Sequence, residues 1–79
     1  MKVSLQQLSK IFSVAFDERI TINSSSSKEN MVQWDSLKHL YLILELEDHL
    51  NVKFTTTEIE QIKNVEQLLI ILEKNKPWI

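Results

Sequence analysis

The stretch "NMVQWDSLKHLYLILELEDHL", residues 30–50, decides how this chain is read. From Ser36 onward its apolar residues recur at helical spacing, which predicts a helix over about 36–50. Placed on a wheel at 100° per residue, they separate into two groups. His39, Leu42, Ile43, Leu46 and Leu50 share one face. Leu37, Leu40, Tyr41 and Leu44 lie roughly opposite, bordered by Glu47 and Asp48. A small domain readily buries one such face. For the other, two readings stay open. The preceding loop folds over it through Met31, Val32 and Trp34, or it stays exposed as an apolar patch rimmed by acids, the mark of a partner-binding surface.

Upstream, Ser4 and Gln7 form an S-x-x-Q capping box, with Val3 and Leu8 as its hydrophobic staple. Leu5, Leu8, Ile11, Phe12, Ala15 and Phe16 then line one face of a helix over about 5–16. The connection from Asp17 to Asp35 is long. Ile20, Ile22, Val32 and Trp34 are expected to pin it to the core, and its serine run, in "NSSSSKEN", to be its most mobile part. Downstream, "TTTEIEQI" offers Thr57 and Glu60 as a capping box for a short helix over about 57–62 that buries Ile59 and Ile62. Asn64 caps a last helix over about 65–75, with Val65, Leu68, Leu69 and Leu72 inward. Pro77 stops it, leaving Trp78 and Ile79 as a tail. The expected fold is a single all-α domain over 1–79, a four-helix bundle of three longer helices and one short third helix.

Composition excludes several function classes. The 79 residues include no cysteine, so disulfides and thiolate metal sites are ruled out together, and any thiol chemistry needs an imported thiol. The chain also has no glycine, which excludes a GxGxxG turn or a P-loop. A formal net charge of −2 without a basic stripe argues against nucleic-acid partners. The segment "MKVSLQQLSKIF" lacks the apolar run of a signal peptide, and nothing approaches membrane-spanning length. A cytoplasmic monomer, produced from its own start methionine, is the expectation. His39 and His49 are ten residues apart, not at the i, i+4 spacing of a shared metal ligand set. His39 is read as a hydrogen-bonded histidine at the core boundary, and His49 as a solvated one. Glu45, Glu47 and Asp48 read as a solvated acidic face rather than paired catalytic carboxylates. No base is assignable to Ser36, so neither a catalytic set nor a metal site is expected, and the chain is not read as an enzyme.

Ser36 falls at a helix start, as N-cap or first-turn residue, where backbone N–H groups are unpaired and the macrodipole leaves partial positive charge. A phosphate on its hydroxyl would lie in a favourable field, and Asp35 is placed to help hold a divalent cation during transfer. Taken alone, the pair reads as an ordinary N-cap.

The wider arrangement changes that reading. In "WDSLKHLYLILELEDHLNVKF", residues 34–54, the D-S-L opening an acid-flanked second helix resembles the phosphopantetheine attachment motif of the acyl carrier protein family. The short first helix, long loop, minor third helix and closing "VEQLLIILEK" follow the family's order. The resemblance implies that Ser36 is esterified with 4′-phosphopantetheine from coenzyme A by a separate phosphopantetheinyl transferase using magnesium, with Asp35 assisting. The arm's thiol would carry an acyl group as a thioester. The resemblance also implies docking through Leu37, Leu40, Tyr41, Leu44, Glu47 and Asp48 to that transferase, to an acyl-loading ligase or acyltransferase, and to downstream synthases. Two departures stand out. The family usually has glycine where this chain has Gln33; a positive φ there would cost about 1–2 kcal/mol, unless Trp34 anchors a different loop path. Lys38 places a positive charge next to Ser36, which looks more like stand-alone carriers of specialised pathways than like general fatty-acid carriers. Two alternatives remain: an aminoacyl or peptidyl carrier of the same fold, and a non-carrier helical adaptor that uses the apolar face of the second helix.

Overall fold

The computed structural model describes residues 3–74 and folds them into four helices: α1 (Leu5–Phe16), α2 (Ser36–Leu50), α3 (Thr56–Gln61) and α4 (Val65–Lys74). The expected stop at Pro77, the tail of Trp78 and Ile79, and the last residue of the predicted fourth helix lie outside the described residues. Among the described residues no helix is long and apolar enough to cross a membrane.

Local chemistry explains where the helices begin. The Ser4–Gln7 capping box closes α1 in both directions, at 3.0 and 3.3 Å. α3 departs from the sequence expectation. Its box is Thr55–Glu58, not Thr57–Glu60, so the helix starts at Thr56. The run of three threonines before two alternating glutamates fits T-x-x-E in either register. In the register adopted, Ile62 falls just past the helix end and is buried, while Ile59 is only partly covered. Asn64 opens α4, its side-chain oxygen accepting from Gln67 N at 2.7 Å.

A chain without glycine must end its helices by other means. Asp17 and Asn51 take the left-handed conformation, with φ of 55° and 54°. Asp and Asn tolerate this region best among residues with a β-carbon. After α1, Asp17 N bonds Val14 O at 3.3 Å and Glu18 N bonds Ser13 O at 3.2 Å, the pair of bonds that defines a Schellman end.

The core gathers Leu8, Phe12 and Phe16 from α1, Leu42 and Leu46 from α2, Ile62, and Leu68 and Leu72 from α4. Trp34 joins it from the loop, its ring 5.1 Å from Phe12 in an edge-to-face arrangement. Ile71 is buried on α4 where Leu69 was expected; Leu69 is only partly covered, and Leu5 on α1 is exposed.

The loop is held down by polar contacts as much as by apolar ones. Ile20 and Ile22 are buried as expected, but Val32 is 96% exposed. Met31 is partly buried and Trp34 fully, and the chain path that turns these two toward the core leaves Val32 facing solvent. Ser13 Oγ accepts from Ile20 N at 2.9 Å and Ser9 Oγ from Ile22 N at 3.0 Å, fastening this segment along α1. The serine run, expected to be the loosest part, is bonded on several sides. Ser26 is buried, Asn23 and Asn30 cap the turns around it, and an antiparallel bridge pairs Ser27 with Asn64. That bridge carries Lys28 N to Lys63 O and Val65 N to Ser26 O, both at 2.9 Å.

Candidate functional site

Asp35 is the N-cap of α2, and Ser36 is its first residue. The Asp35 carboxylate accepts from Lys38 N at 2.8 Å, and the Asp35 carbonyl from His39 N at 2.8 Å. Two of the four first-turn N–H groups are thereby satisfied. Those of Ser36 and Leu37 have no place in the helical ladder and lie at the open end of the helix. The Ser36 side chain is exposed, and it opens onto a groove of about 820 Å³. Loop residues Ser27 and Lys28, His39 and Leu40 of α2, and Ile59 of α3 with Lys63 line the groove.

The two faces of α2 separate as the wheel requires. His39, Leu42, Ile43 and Leu46 are buried, and Leu50 is partly covered. On the other face Leu37 is 56%, Leu40 54%, Tyr41 43% and Leu44 62% exposed. The loop does not cover them, so the patch is open. It runs directly from Ser36. Asp48 is exposed beside it, whereas Glu47 is half-buried and accepts from Phe54 N at 3.1 Å, which ties down the connection to α3.

Comparison with solved structures finds a holo acyl carrier protein from Geobacter metallireducens, determined by solution NMR, at a TM-score of 0.78. The sequences are 37% identical, and the match covers 89% of this chain and 82% of that one. The chain belongs to the acyl carrier protein family. No family model matches the sequence, and no curated protein matches it either.

Both departures of this carrier from the family pattern resolve in the structure. Gln33 does not take a positive φ, so no left-handed strain is stored there. Its amide instead donates to Glu18 at 3.1 Å, and buried Trp34 anchors the loop beside it. Lys38 does not leave its ammonium simply facing Ser36. Nζ donates to Phe16 O at 3.3 Å, one of the carbonyls that the end of α1 leaves without an intrahelical partner, and lies 6.0 Å from the Tyr41 ring centre. The lysine therefore fastens α2 to α1.

His39 is a hydrogen-bonded histidine at the core boundary, as its sequence context suggests, but its partners are not legible there. Both of its ring nitrogens are engaged: Trp34 Nε1–H donates to Nδ1 at 3.0 Å, and Nε2 lies 2.8 Å from Ile59 O. An indole N–H only donates and a carbonyl only accepts, so the ring is the neutral tautomer with its proton on Nε2. Burial lowers its pKa below the ordinary 6.5; the Ile59 bond opposes that shift and the charge of Lys28 adds to it. A tryptophan five residues before a histidine is a faint signal for such a pair, since the contact depends on the loop path. His49, in contrast, is exposed and bonds Glu45 at 3.1 Å. Donor atoms of Glu45, Asp48 and His49 lie within 4.8 Å of one another, and none of these residues is buried.

Proposed function

We propose that the chain carries acyl intermediates as thioesters on a 4′-phosphopantetheine arm attached to Ser36. The observation that carries this reading is the position of Ser36: exposed, first in α2, and at the mouth of a groove, in a chain 37% identical to a holo acyl carrier protein. The residues present suit the group. A phosphodiester on the Ser36 hydroxyl would face the first-turn N–H groups of Ser36 and Leu37. The chain has no cysteine, so the reactive thiol has to come with the arm.

Attachment is the work of a separate phosphopantetheinyl transferase, which draws the arm from coenzyme A with magnesium. Asp35 serves twice in this reading, capping the helix through Oδ1 and standing beside the hydroxyl during transfer. Leu37, Leu40, Tyr41 and Leu44 form the docking face for the transferase, for the loading ligase or acyltransferase, and for downstream synthases, with Asp48 and the outer part of Glu47 on its rim. An apolar stripe of this kind, with its acids gathered toward the far end of α2, suits a dedicated set of partner enzymes in a specialised pathway. The chain presents substrates and is not itself a catalyst.

Intact mass after incubation with coenzyme A, magnesium and a broad-specificity transferase tests the proposal. One phosphopantetheine adduct is expected, absent from Ser36→Ala, while the variant keeps its fold. Failure of several transferases to modify the wild-type chain would leave Ser36 a helix residue only and favour the adaptor reading of the exposed face. Loading of the holo form by amino acids in preference to acyl groups would turn the reading to an aminoacyl carrier.

A further inference from the structure

α3 is the least anchored of the four helices. None of its six residues is buried. Its last turn carries carbonyls for which so short a helix has no N–H groups of its own. One of these, Glu58 O, accepts from Ile62 N at 3.2 Å. Another, Ile59 O, is satisfied from outside the helix by His39 Nε2–H at 2.8 Å. Trp34 keeps that donor in place. Its indole N–H occupies Nδ1 at 3.0 Å, which leaves the ring proton on Nε2, facing α3. One imidazole thus joins the loop, α2 and α3 in series. Its two partners differ in kind: Trp34 is locked into the core, its ring 5.1 Å from Phe12, whereas Ile59 is only partly covered and belongs to a helix with no buried residue, held otherwise through the flanking Phe54 and Ile62. His39 and Ile59 also line the groove at whose mouth Ser36 stands.

We infer that His39 is a positioning residue: through its bonds to Trp34 and Ile59 it sets where α3 stands against the Ser36 end of α2, and so the shape of the groove beside Ser36. The geometry around α3 stands without any attached arm, whereas the use of the groove by that arm rests on the carrier function proposed above. Loss of the ring leaves the Ile59 carbonyl without its partner and releases α3 locally. The packing of Leu42 and Leu46 against the rest of the core does not involve this bond.

Amide hydrogen exchange on the full chain without its arm tests the inference, using His39→Leu and His39→Gln. The leucine has no donor, whereas the glutamine amide N–H can reach the Ile59 carbonyl. In His39→Leu the amides of Ile59 and Ile62 should exchange about tenfold faster, and those of Phe12 and Leu72 should change less than about threefold. In His39→Gln the α3 amides should return toward wild type. Uniform acceleration across all helices, or an α3 that does not respond, would overturn the inference. If His39→Leu does not fold, the wild-type ring decides. Its ¹⁵N spectrum at neutral pH must show a neutral imidazole with the proton on Nε2, and a proton on Nδ1 would overturn the series of bonds. Transfer of the arm to Ser36 should be fastest in wild type, next in His39→Gln and slowest in His39→Leu. A selective exchange response in a chain whose Ser36 is never modified would leave the role of His39 intact and sink the carrier reading instead.

Discussion

The two faces of α2 are built from nearly the same material and meet opposite fates. Leu42 and Leu46 are fully enclosed, while Leu40 and Leu44, two residues away from each, stand more than half in solvent. Helix propensity and hydrophobicity do not distinguish them. The difference lies in what stands opposite. The inner face joins the common core with residues of α1, α4 and Trp34, and its His39 bonds α3, whereas among the described residues no helix or loop covers the outer face. Apolar side chains on the outer face bury far less in the isolated fold than those of the inner face, and an exposed apolar patch of this kind suits contact with another molecule.

The comparison breaks if the two faces respond alike to substitution. The largest effect is expected for Leu46→Ala, which should lower the free energy of unfolding in urea by about 2–5 kcal/mol, because it removes a fully buried side chain and leaves a cavity. A smaller effect comes from the titratable residue of the inner face. The pKa of His39 is depressed in the folded state, so its contribution to stability is complete above the unfolded value of 6.5 and is lost as pH falls from there through the folded pKa. Urea midpoints between about pH 7 and pH 5.5, still above the ordinary carboxylate range, should fall more steeply for wild type than for His39→Gln. Equal slopes would show that the ring does not resist protonation. The smallest effect on stability belongs to the outer face. Leu44→Glu should move the unfolding free energy by no more than about 0.5 kcal/mol, yet slow modification by the transferase. A large loss of stability there would mean that the outer face is covered in solution and would remove it as a docking surface.

How much of this was legible in the sequence follows the range of the interactions. The four-helix fold could be read because caps and periodicity are local: Ser4 with Gln7, Asn64 before the "VEQLLIIL" run, and the spacing of Leu8, Ile11 and Phe12. The two-faced α2 and the position of Ser36 at its start were legible for the same reason. The short helix starts one residue earlier than expected because two T-x-x-E registers overlap in "TTTEIE", and local sequence does not choose between them. Within the loop, apolar character alone could not separate Val32 from Trp34, since the chain path decides which of them meets the core. Of the polar fastenings, only the hydrogen bonding of His39 was legible, and not its partners. Ser9 and Ser13 toward Ile22 and Ile20, Lys38 toward Phe16, and His39 between Trp34 and Ile59 all join residues that the sequence keeps apart. Around Ser36, the serine itself was visible while the wall of its groove was not.

The bridge between Ser27 and Asn64 has a consequence for the order in which the molecule comes together. Its two backbone bonds, Lys28 to Lys63 and Val65 to Ser26, connect the middle of the long loop to the junction before the last helix. Contacts so distant along the chain bear the entropy of closing a large loop and are favoured only once the intervening helices have collapsed. The bridge is therefore expected to form late in folding and to open early in unfolding. Weakening either bond is accordingly expected to speed unfolding more than it slows refolding, which rates measured in urea would check.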